Sequence, residues 1–113
     1  MHDMRNGSDY GIEIDGLPEG RAVVKLSQSP AVFGRSPASD VFLNDVYIAR
    51  RHFEIRWNDQ MSTHEIVSYD HPNALRVNGA PLSGAKPHLL EIGDTLEVGR
   101  LRLKYIKLPE ILQ

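Results

Sequence analysis

Thr95-Leu96-Glu97-Val98-Gly99-Arg100-Leu101-Arg102-Leu103-Lys104-Tyr105 is the stretch on which the fold is read. Leu96 and Val98 alternate with Thr95 and Glu97, then Leu101, Leu103 and Tyr105 with Arg100, Arg102 and Lys104. Successive strand side chains point to opposite faces, so this is the pattern of two half-buried strands. Gly99 lies between them, where it can turn the second strand back on the first. The same period recurs along the chain. Ile12 and Ile14 oppose Glu13 and Asp15, and Val24 and Leu26 oppose Lys25 and Ser27. Phe53, Ile55 and Trp57 alternate with His52, Glu54 and Arg56, which reads those three as core and places His52 in a strand. Turn residues separate the runs: Gln28-Ser29-Pro30, Ser36-Pro37, Asn58-Asp59, His71-Pro72-Asn73, Gly93-Asp94 and the positive-φ pair Asn78-Gly79. No helical period is sustained. Short strands with turns about every 8–12 residues predict an all-β, antiparallel sandwich or barrel.

The chain has 113 residues, 13 basic against 15 acidic, a net charge of −2, and 41 % hydrophobic residues. That is enough for one domain with a real core and no metal or disulfide staple. The neutral balance argues against nucleic acid and anionic membrane surfaces as partners. No apolar run approaches the ~18 residues of a membrane span, and no secretory signal is visible, so a cytoplasmic protein is expected. The absence of cysteine removes thiol chemistry and disulfides. Residues 1–9 read as a flexible tail, 10–107 as the domain and 108–113 as a trailing end or a cut into a longer protein. Nine of the 13 basic residues are Arg, the side chain suited to gripping a phosphate or carboxylate.

Catalytic readings are weak. The five histidines show no metal-ligand spacing, and neither a serine-nucleophile motif nor a phosphate-cradling glycine loop occurs. Asp40 and Asp45 read as solvated turn carboxylates. No enzyme activity, metal or cofactor is expected.

Three loops instead carry concentrated polar residues: Gly34-Arg35-Ser36 through Asp40, Asn44 through His52, and His71 through Gly79. Loops from one end of a sandwich form a supported binding edge. If these three cluster, Arg35, Arg50 and Asn73 converge, and two guanidiniums beside an amide suit a phosphate. The competing arrangement pairs Arg35 with Asp40 or Asp45 and leaves Arg50 and Arg51 solvated.

With those residues in view, the chain resembles a forkhead-associated (FHA) domain. The resemblance rests on Gly34-Arg35-Ser36, Asp40-Val41-Phe42-Leu43, Ala49-Arg50-Arg51-His52, Asn73 to Asn78-Gly79, and Gly93-Asp94-Thr95-Leu96-Glu97-Val98-Gly99, in order and in register. It implies a two-sheet sandwich of about eleven short strands whose loops read phosphothreonine in a partner protein or peptide. Carried over, Arg35 binds the phosphate, Arg50 supplies a further donor, and Asn73 holds the peptide main chain. Ala49, Pro72, Tyr47 and Leu75 would line the peptide, with Gly34, Ser36, His52, Asn78 and Gly79 supporting the loops. A buried His52 bonded to a neighbouring loop is the preferred reading of that residue.

The pattern is broken at three places. Ala49 stands where the family has a phosphate-binding Ser, Pro72 where it has Thr, and Ala74-Leu75 where it has Gly-Thr. Two readings follow. One is a phosphothreonine-dependent interaction module for signalling or regulated assembly. The other is a degenerate FHA domain that binds an unphosphorylated protein partner, as a scaffold piece of a larger machine such as a secretion system. Neither involves membrane insertion.

Overall fold

The computed structural model describes residues 7–69, 75–82 and 86–113. Its strands are β1 (Tyr10–Leu17), β2 (Gly20–Lys25), β3 (Ala31–Gly34), β4 (Val41–Phe42), β5 (Phe53–Asn58), β6 (Thr63–Ser68), β7 (Leu75–Val77), β8 (Ala80–Leu82), β9 (His88–Leu89), β10 (Thr95–Val98) and β11 (Leu101–Lys107). Six form one sheet, in the order β2-β1-β11-β10-β7-β8, and five the other, in the order β4-β3-β5-β6-β9. The alternation explains the packing. Ile12 pairs with Tyr105, Ile14 with Leu103, and Leu96 with Leu103 in register. These side chains meet Phe33, Phe53, Ile55 and Ile66 from the second sheet in one buried core. Each such side chain removed from water contributes about 1.5–3 kcal/mol. The outward face of the first sheet sets Glu13 opposite Lys104 and Asp15 and Glu97 opposite Arg102, so it stays wet.

Both hairpins form where the turn residues lie. Asn78 and Gly79 have φ of 51° and 85°, the paired positive values of a type I′ loop. In the β10–β11 turn only Gly99, the first central residue, has positive φ, at 57°, as in a type II′ loop.

Several details differ from expectation. β3 and β4 pair in parallel, with Phe33 beside Val41 and Gly34 beside Phe42. β4 is a two-residue strand at the edge of its sheet. Trp57 lies at the sheet end, half-buried and stacked on Tyr10, rather than in the core. His52 precedes β5 instead of lying within it, although its N–H still bonds to Phe33 O. At the chain ends, residues Gly7–Asp9 form a 3₁₀ turn, and Leu108 is buried over Gly11. The Leu108 N–H donates to Asp9 O, which ties the two ends together.

Candidate functional site

Backbone hydrogen bonds zip the loop after β3 to the loop before β5. Arg35 N–H donates to Ala49 O at 2.9 Å and Ser36 N–H to Arg50 O at 3.1 Å. Gly34 makes that approach possible. A Cβ there would stand 2.7 Å from the Arg50 carbonyl carbon and 2.9 Å from Arg51 Cα, so position 34 has no room for a side chain. Ser36 is buried and bonds within its own loop, its Oγ accepting from Ala38 N–H. Ser39 Oγ adds a third bond, donated to Arg50 O at 3.1 Å. On the other side, buried His52 accepts the Ala49 N–H on Nδ1 at 3.0 Å, which places the ring proton on Nε2. Thus Gly34, Ser36 and His52 shape the two loops, and Ala49 sits between them, half-buried and without a hydroxyl.

This zipper joins the main chains that carry Arg35 and Arg50, and both residues are exposed. Arg35 Nε donates to Ile48 O at 3.1 Å, leaving the outer edge of its guanidinium to solvent. Among the described residues neither arginine has an ion-pair partner. The carboxylates that competed for Arg35 are engaged elsewhere. Asp40 accepts from Val32 N–H and Gln28 Nε2, each at 2.8 Å. Asp45 is not a solvated turn residue but only 3 % exposed. Arg51 lies over the Tyr69 ring at 5.4 Å instead of standing free in solvent.

Asp45 is the feature sequence reasoning missed. Its Oδ1 accepts Tyr47 N–H at 2.8 Å, and Oδ2 accepts Arg100 N–H at 2.9 Å and Arg100 Nε at 3.3 Å. Burial alone would raise its pKa, but the two backbone donors and the Arg100 charge outweigh burial and hold it below the usual value. Arg100, read from sequence as one more outward strand arginine, therefore clasps the Asp45–Ile48 turn to the β10–β11 hairpin. It also covers the exposed Tyr47 ring at 5.2 Å. An Asp two residues before the N–H it caps was the available signal.

Tyr69, which follows β6, donates its N–H to His52 O at 3.0 Å. Asn73 and Pro72 lie outside the described residues. Leu75 does not line a peptide surface: it begins β7, is 1 % exposed and belongs to the core. Asn78 and Gly79 form the turn between β7 and β8. Asn78 bonds to Asp94 and to Thr95 at the end of β10 away from Gly99, where it pins the β7–β8 hairpin. Among the described residues no three His, Asp or Glu side chains group as metal ligands.

A two-sheet sandwich with Gly34-Arg35-Ser36 bound to Ala49-Arg50 by main-chain bonds defines a class, and the chain belongs to the FHA domain family, whose model matches residues 31–99. It is 34 % identical to the oxoglutarate dehydrogenase inhibitor of Corynebacterium jeikeium, over 94 % of this chain and 81 % of that protein. It is 30 % identical to the glycogen accumulation regulator GarA of Mycolicibacterium smegmatis, over 86 % of this chain and 66 % of that one. Its fold is similar to the N-terminal FHA domain of S. cerevisiae Rad53p, solved with a phosphothreonine peptide. The TM-score there is 0.72 at 21 % identity, covering 91 % of this chain and 98 % of that one.

Proposed function

We propose that this chain is a non-catalytic module that binds a phosphothreonine-bearing segment of a partner protein across Arg35 and Arg50. One observation carries the reading: two exposed arginines stem from loops joined by a main-chain zipper, and Asp40 and Asp45 are engaged by backbone N–H groups instead. A phosphate monoester carries about −1.5 to −2 charges at pH 7, and forked guanidinium donors match its oxygens. Asn73 is proposed to hold the peptide main chain and Tyr47 to flank it. The main-chain frame is intact without the Ser hydroxyl missing at Ala49, which favours phosphate-dependent over phosphate-independent binding. The names of the relatives, an inhibitor and a regulator, support a partner that is itself an enzyme whose activity the bound module changes.

Amide NMR tests the location. A phosphothreonine peptide should shift the signals of Arg35, Ser36, Tyr47, Ala49 and Arg50 and leave those of Asn78 and Thr95 in place. Equal shifts from the unphosphorylated peptide would favour the degenerate, phosphate-independent domain.

A further inference from the structure

Two open sheets leave four edge strands: β2 and β8 in the first sheet, β4 and β9 in the second. An edge presents a row of backbone N–H and C=O groups to any extended chain that can reach them, so proteins blunt their edges. β4 and β9 have two residues each and offer little to pair with. β8 has three, with Pro81, which donates no hydrogen bond, at its centre. β2 has six residues and no proline. Among the described residues it is the one long edge that is not blunted by length or proline.

The ladder with β1 fixes which groups of β2 are free. Leu26 N–H donates to Tyr10 O at 3.0 Å, and Val24 and Ala22 lie opposite Ile12 and Ile14. Hydrogen bonds alternate along an antiparallel pair, so Val24 and Ala22 bond to β1 while the main-chain groups of Val23 and Lys25 point away from the sheet. Side chains alternate as well. Val24 packs against the core, whereas Arg21, Val23 and Lys25 are exposed on the outer face, Val23 by 46 %. That face of β2 thus reads cation, apolar, cation. Further into the sheet the same face matches its charges across strands. Glu13 faces Lys104, and Arg102 lies between Asp15 and Glu97, with Arg76 beyond Glu97. Lys25 lies opposite Gly11, and among the described residues neither it nor Arg21 has an ion-pair partner. In either orientation, a second copy of β2 centred on Val23 sets cation against cation, and like charges directly opposite are destabilising. The complement of this edge is an acidic strand.

We infer that the open edge of β2 is a second docking surface, for an extended acidic segment of a partner protein that adds beside Val23. An apolar side chain of the segment lies next to Val23, and a carboxylate stands opposite each of Arg21 and Lys25. Pairing with the outward N–H and C=O groups of Val23 and Lys25 supplies affinity, and the acidic–apolar–acidic pattern at period two supplies the choice of partner. This surface uses no phosphate and is independent of Arg35 and Arg50.

Amide NMR of the full chain tests this with two end-capped peptides, Glu-Thr-Val-Thr-Glu and Lys-Thr-Val-Thr-Lys. The acidic peptide should shift the signals of Arg21, Val23 and Lys25 saturably, with a Kd on the order of millimolar for so short a strand. It should also slow hydrogen exchange at the Val23 and Lys25 amides. The basic peptide should do neither. Val23→Pro removes an outward N–H and no bond to β1, so it should abolish binding. The exposed pair Arg21→Glu and Lys25→Glu, made together, should exchange the preference, and it decides the matter even if Val23→Pro fails to fold. Arg35→Ala should bind the acidic peptide as the wild type does. No saturable shift in β2, equal shifts from both peptides, acidic-peptide binding unchanged by the charge reversal, or its loss in Arg35→Ala overturns the surface.

Discussion

Gly34, Ala49 and His64 each turn one atom's presence or absence into a measurable consequence. At Gly34 a methyl group has nowhere to go, because the atoms it would meet are the Arg50 and Arg51 backbone rather than a movable side chain. Gly34→Ala should therefore destabilise the domain by about 2–3 kcal/mol, as overpacking does, and lower its thermal midpoint. An unchanged midpoint would mean that the zipper is looser than described. Ala49→Ser should act in the opposite sense on binding. A hydroxyl donated to a charged phosphate is worth about 1.5–3 kcal/mol, so phosphopeptide affinity should rise roughly 10- to 150-fold in a titration. His64, buried on β6, sets a pH dependence. Its folded pKa of about 4 lies below the ordinary value of 6.5, so between those pH values the unfolded chain holds more protons. Stability from this group is complete above pH 6.5 and falls as pH drops towards 4, by roughly 2–3 kcal/mol. Urea unfolding at several pH values should show this slope, and a folded His64→Phe protein should lack it.

Among the elements, the strands were legible and the contacts between loops were not. Period-two alternation identified β1, β2, β5, β10 and β11, Gly99 marked the β10–β11 hairpin and Asn78-Gly79 the β7–β8 hairpin, because these signals are local. Leu75 was misread for the same local reason. It follows a loop motif in sequence, but pairing with Leu82 in β7–β8 turns it into the core. The Asp45 clasp joins residues 55 positions apart, and no spacing rule connects Asp45 to Arg100. Yet this clasp fixes the turn that carries Tyr47 and the Ile48 carbonyl held by Arg35. Asp45→Asn keeps the shape but loses the charge and an acceptor. It should cost about 1–3 kcal/mol of stability and weaken phosphopeptide binding with it. Because the Asp45 pKa is lowered on folding, its stabilisation is present above the ordinary carboxylate pKa and lost as pH falls below it. Acid unfolding of Asp45→Asn should accordingly be shallower than that of wild type, and an identical acid limb would remove Asp45 from the account.

At the level of the whole molecule, charge balance and binding chemistry fit together. A net charge of −2 gives no general attraction for polyanions, while the exposed Arg35 and Arg50 of the proposed site would offer a local one for a single phosphate. Affinity for a phosphopeptide should therefore fall with added salt, since the arginines are exposed. Folding stability, which rests on the apolar core, should change little over the same range. The most direct measurement is a calorimetric titration of one threonine peptide in phosphorylated and unphosphorylated form, with wild type and Arg35→Ala. The account requires binding of the phosphorylated form alone, weakened about 10-fold or more by Arg35→Ala. Equal affinity for both peptides, or an Arg35→Ala protein that binds as tightly as wild type, would contradict it.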